Sequence, residues 1–107
     1  MPTAKIVVFS NCGSAAEARR IARELVKRRL VACANVPSAP VESIYRWKGK
    51  VEKAKEFLLI AKTSKARFKA VERAIRELHS YDVPEIIAVA IAAGSAEYLA
   101  WIERNVR

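Results

Sequence analysis

The chain has 107 residues, 52% of them hydrophobic and 29% charged, which fits a single folded domain over residues 1–107 and excludes a disordered chain. No apolar run reaches the roughly 18 residues of a membrane helix, and MPTAKIVVFS lacks the long apolar region and small-residue cleavage site of a secretory leader, so a cytoplasmic protein without a membrane partner is expected. The net charge of +9 admits either an anionic partner or an ion-paired surface, and the absence of Gln with only three Asn favours the surface, in the pattern of thermophilic proteins.

Lys5 to Cys12, KIVVFSNC, is a β-branched apolar run closed by Asn-Cys-Gly-Ser, and predicts a strand and a turn. Ser14 is placed to cap a helix over residues 15–30. Its apolar stripe is Ala18, Ile21, Ala22 and Leu25, at helical spacing. Six basic residues, from Arg19 to Arg29, fill its other face, and the last three suit the negative end of the helix dipole. Val31 to Val36 predicts a second strand, interrupted by Pro37 to Pro40 as a bulge or edge. The strand resumes over Val41 to Trp47, with Val41, Ser43, Tyr45 and Trp47 facing one way and Glu42, Ile44 and Arg46 the other. Lys48-Gly49 is a tight turn, and Val51 to Thr63 returns as a third strand.

That third strand has two characters. Phe57 to Ala61 is apolar on both faces, whereas Val51 to Glu56 is mostly polar on both. Thirteen strand residues span roughly 43 Å, more than a domain with a radius of gyration of about 13 Å comfortably covers. The hairpin tip is therefore expected to project. Its edges invite pairing, and Tyr45 and Trp47 would stand exposed in a monomer. A homo-oligomer follows as the expectation.

Ser64 is positioned to cap a second helix through His79, with Phe68, Val71, Ile75 and Leu78 on one stripe. Ser80 to Pro84 ends it, since the residue before proline avoids the helical region. Glu85 to Ala93 predicts a fourth strand, and Gly94-Ser95 opens a terminal helix. The order β-α-β-β-α-β plus a C-terminal helix is an α+β, ferredoxin-like sandwich: an antiparallel sheet with two helices on one face. Such a fold hosts many functions, so function must come from sites.

Three function classes divide the remaining signals. An RNA-binding module of this topology needs aromatics on its central strands. KEFLLIAKT and the first strand offer one aromatic each, Phe57 and Phe9, so no nucleic-acid partner is expected. No GxSxG, P-loop, HExxH or GxGxxG occurs, and Asn11-Cys12-Gly13-Ser14 supplies a single glycine for an anion loop, so an enzyme is not expected. A metal class rests on His79, the only histidine, with Cys12, Cys33 and nearby carboxylates; imidazole with thiolate favours copper or zinc. Two plainer readings stand beside it. His79 lies in the last helical turn, where it can satisfy free carbonyls. The two cysteines form no CxxC pair and also read as half-buried thiols.

RLVACANV, ESIYRWKGKVE, FLLIAKT, ELHSYDVPEIIAV and GSAEYLAWI stand in an order and spacing that resemble the divalent-cation tolerance (CutA-type) family, from Lys5 to about Asn105. The most specific pieces are Ser43 to Gly49 and His79 to Glu85; the family's usual His-Pro-Tyr departs to His79-Ser80-Tyr81 here. The resemblance implies a homotrimer with strands paired between subunits, similar in architecture to the PII signalling trimers. It implies a non-enzymatic role in tolerance of divalent metals, with copper or another divalent metal as the bound ion and no organic cofactor. It places the family's metal-associated His on His79 and its second-strand Cys on Cys33, while a first-strand Cys of some members falls on Ser10, two residues before Cys12. It also puts Tyr45, Trp47, Tyr81 and Glu85 in a cleft between subunits. There a small ligand or a metal would sit; in the alternative, a PII-like signalling trimer binds a small ligand or an unidentified partner protein in that cleft.

Overall fold

Alternating β-branched residues form β1 over Lys5–Cys12, with Ile6, Val8, Ser10 and Cys12 turned inward. A computed structural model describes residues 3–107. After Gly13, the Ser14 hydroxyl accepts the Glu17 N–H at 3.1 Å and opens α1, Ala15–Lys27. The stripe Ala18, Ile21, Ala22 and Leu25 is buried as its spacing requires. The helix stops three residues before the expected Leu30. Arg29 takes a left-handed φ of 60°, Arg29 N–H returns to the Val26 carbonyl, and Leu30 N–H returns to that of Leu25. This is a Schellman cap with arginine where glycine is usual.

The chain then gives β2, Cys33–Asn35, and after the prolines β3, Val41–Trp47. Lys48 and Gly49 both have positive φ, 50° and 79°, between the paired Trp47 and Lys50. This is the two-residue hairpin turn whose twist matches that of the strands. β4, Lys50–Ser64, pairs with β3 through its first half and with β1 and β2 through its second.

Ser64 does not cap a helix. It remains paired with Lys5 at the end of β4, while Lys65 N–H bonds the Ala4 carbonyl, and its side chain makes no cap bond. A 3-10 turn over Lys65–Arg67 intervenes before α2, Phe68–Leu78. β5 is shorter than expected, Ile87–Ala90, and beyond it Ile91 donates its N–H to the Lys5 carbonyl while its own carbonyl accepts the Thr3 N–H and hydroxyl. α3 is Ala96–Arg104, capped by Ser95.

The sheet order is β2-β4-β1-β5, with β3 continuing the line of β2 along β4, and all neighbours are antiparallel. β1 and β2 are thus parallel with β4 between them, which is the split βαβ unit. One core joins the inward side chains of β1 and β4 to α1 and α2. α3 lies across the opposite face at one end, held by Lys5 to Glu103 at 2.9 Å and by Tyr98 beside Cys33 at 3.6 Å. The rest of that face is apolar and open, with Phe9 and Ile60 half-buried and Ile87 and Val89 52% and 53% exposed. The hairpin extends the molecule to 44 Å and raises the radius of gyration to 14.3 Å, above the roughly 13 Å typical of this length.

Candidate functional site

Two clusters form where the end of β1 meets the corner after α2. The first is buried. Cys12, Glu17 and His79 bring a sulfur, a carboxylate oxygen and a ring nitrogen within 4.8 Å of one another. Glu17 occupies the third position of α1, where a glutamate can reach back over the helix start. Its Oε1 accepts the Gly13 N–H at 3.2 Å, and its Oε2 accepts the Ser80 N–H at 2.7 Å. Burial pushes this carboxyl up, but the hydrogen bonds from Ser80 and Gly13 outweigh burial and hold it below the usual range. His79 ends α2 with its own N–H on the Ile75 carbonyl. Its Nδ1 accepts the Tyr81 N–H at 3.1 Å, so Nε2 carries the proton and donates to the Asn11 carbonyl at 2.8 Å. Burial, aided by the Glu17 and Glu56 carboxylates, pushes the Cys12 thiol up to about 12.

These contacts decide what the trio can do. Both ring nitrogens and both carboxylate oxygens already take part in hydrogen bonds, and burial raises the thiol pKa in the ion-free fold, so an ion here would have to displace the His79 contacts and the thiol proton. As folded, the trio is engaged in its own hydrogen bonds, with its ligand-type atoms within 4.8 Å of one another. It is a hydrogen-bonded knot that fastens the start of α1 to the corner after α2. Cys33 is not part of it. Its partner across the strands is Lys62, which alternates with core residue Ala61, so Cys33 points to the face opposite Cys12. There it meets the Tyr98 hydroxyl at 3.6 Å and the Lys62 ammonium at 3.9 Å.

The second cluster is open. A cleft of about 640 Å³ lies between the hairpin and the corner after α2. Tyr45 and Trp47 of β3, with Tyr81 and Glu85 of the corner, line it together. The register places Tyr45 and Trp47 on the same sheet face as Glu56, Phe9 and Asn11, the face away from α1 and α2. Glu56, Asp82 and Asn11 also line the cleft, and the sequence pattern alone had not singled these three out as site residues. The Tyr81 hydroxyl donates to Glu56 at 2.9 Å, and Asn11 Nδ2 donates to Glu85 at 3.4 Å. Burial and the Glu56 carboxylate push the Tyr81 phenol up to about 12. His79 and Tyr81 stack obliquely at 4.7 Å, so the knot forms the floor behind the cleft. Gly13 leaves room for this ring: a Cβ there would stand 3.3 Å from the Tyr81 hydroxyl.

Residues 6–105 match the family described as CutA1 divalent ion tolerance protein. The chain is 43% identical over 99 residues to the divalent-cation tolerance protein CutA of Thermus thermophilus, covering 92% of this chain and 95% of that protein. It is 38% identical over 99 residues to the protein of that name from Archaeoglobus fulgidus, with the same two coverages. A solved structure of the divalent cation tolerance protein from Thermus thermophilus superposes with a TM-score of 0.93 at 42% identity, over 96% of this chain and 99% of that one.

Proposed function

The chain belongs to the CutA1 divalent ion tolerance protein family, a family of non-enzymatic tolerance proteins, and from that premise we propose that it works as a homotrimer that takes a divalent cation in its acidic cleft. One observation carries this reading. In a chain of 20 Lys+Arg against 11 Asp+Glu, the cleft is lined by Glu56, Asp82 and Glu85 and by no lysine or arginine among the described residues. A concave wall of one sign focuses the field and concentrates counter-ions of the other. Copper(II) is the first ion to test, because it accepts oxygen donors and binds most tightly in the divalent series. The apolar face around Ile87 and Val89, with the outer edge of β3 left unpaired among the described residues, supports the trimer. A reducing cytoplasm suits the two cysteines, which stand on opposite sheet faces.

A second reading shares the cleft. Its volume falls among those of small-molecule sites, which favours a PII-like signalling trimer holding a small ligand or a partner segment between subunits. Native mass spectrometry with and without one equivalent of copper per chain separates the two. The cation reading expects a trimer that gains copper, keeps the gain in His79→Ala and loses it in the Asp82→Asn/Glu85→Gln double variant. Loss in His79→Ala with retention in the double variant would move the ion to the buried trio. A trimer indifferent to copper would leave the signalling reading.

A further inference from the structure

We propose that the cleft also recognises an organic cation, specifically a linear aliphatic di- or polyamine, through its aromatic walls. This rests on the reading above only in taking the cleft as the functional site. A bare divalent ion accounts for the carboxylates but not for the rings or the space. An ion with six waters fills roughly 180 Å³ at about 30 Å³ per water, and the cleft offers about 640 Å³. Tyr45, Trp47 and Tyr81 line that space and are 43%, 54% and 37% exposed in the single chain, before any neighbouring subunit covers part of them. Exposed aromatic rings bordering carboxylates are what an alkylammonium seeks: the ring face attracts the charge and the ring body covers the methylenes.

The cleft carboxylates come from two different elements. Glu56 stands on β4, held by the Tyr81 hydroxyl at 2.9 Å. Glu85 stands on the corner before β5, held by the Asn11 amide at 3.4 Å. Both anchors are therefore oriented before a ligand arrives, which lowers the ordering cost of binding. Val83 also lines the cleft and adds apolar surface for a methylene chain. A neutral ligand would leave these carboxylates without a counter-charge in the cleft, and an anion would be repelled.

Spermidine and the uncharged 1,4-butanediol are the probes, titrated into the assembled full-length protein by calorimetry and native mass spectrometry. Saturable binding of spermidine and none of the diol is expected. Trp47→Leu keeps an apolar side chain but removes the ring, and should weaken spermidine about 2- to 30-fold, the range of one cation–π contact. Trp47→Phe should restore most of that loss. Equal weakening in Leu and Phe variants, or equal binding of diol and spermidine, overturns the proposal. Copper titrated in parallel keeps the two ideas apart. Copper binding without spermidine binding sinks the amine and spares the cation reading; spermidine binding without copper does the reverse. Since Trp47 lies at the exposed hairpin, a circular dichroism melt of each variant checks that the fold persists.

Discussion

At the scale of single residues, Glu17 governs how the chain answers acid. It accepts two backbone N–H groups, one at the start of α1 and one just past the end of α2. Its carboxyl is held below the usual range, and an unfolded glutamate titrates near ~4.3. Because the folded value is depressed, the stabilisation is complete above the unfolded pKa and is lost as pH falls through the folded one. Glu17→Gln gives up the charged acceptor at every pH. Urea unfolding should therefore show the variant weaker by about 2 kcal/mol at pH 7, with charged hydrogen bonds as the source. The gap should close below roughly pH 4; a gap that stayed constant to about pH 2.5, well under the unfolded value, would mean that the lost contact was packing. Ser10 is the counter-example on the neighbouring strand: its hydroxyl is buried without a partner among the described residues.

At the scale of elements, the hairpin turn carries opposite expectations at adjacent positions. Lys48 adopts φ 50° with a side chain that disfavours it, and Gly49 adopts φ 79° with open space around it. Lys48→Asn creates the preferred Asn-Gly pair for this turn and should raise stability by about 0.5 kcal/mol, while Gly49→Ala should lower it by roughly 1 kcal/mol through backbone strain alone. Hydrogen exchange at the Trp47 and Lys50 amides should slow in the first and quicken in the second. The same element shows what the sequence could reveal. β1 and β3 were legible to the residue, because alternation and turn residues mark their limits. The end of α1 was not, because an arginine holds the left-handed cap position that glycine would have announced. Ser64 misled because a serine before an apolar stripe looks like a cap, whereas strand pairing to Lys5 claims it. Glu56 and Asn11 joined the cleft through strand register, which no local pattern encodes. The same register puts Cys12 and Cys33 on opposite faces. Tyr45, Trp47, Tyr81 and Glu85 were legible through the two motif stretches that carry the family resemblance.

At the scale of the whole molecule, the sheet's two faces bear on the proposed trimer. One face is covered by α1 and α2. The other is covered only at the end where α3 lies, and leaves Ile87 and Val89 open beside Phe9 and Ile60. Burial of such side chains contributes about 25 cal/mol per Å², so a second copy, which brings the same apolar face, is the economical cover. The excess positive charge does not oppose this, because none of these four residues is charged. Val89→Asp places a carboxylate in the middle of the face, across from Val7 on β1, while leaving the helix-side core untouched. Sedimentation equilibrium should give three times the 11.9 kDa of one chain for the parent and a single chain's mass for the variant. The variant's melting temperature should also drop and lose its dependence on concentration, since subunit binding stabilises by mass action. If the cleft is completed by a neighbouring subunit, copper and spermidine binding should weaken together in Val89→Asp, although the substitution lies outside the cleft. A monomeric variant that bound both as well as the parent would show that one subunit's hairpin and corner make the whole site.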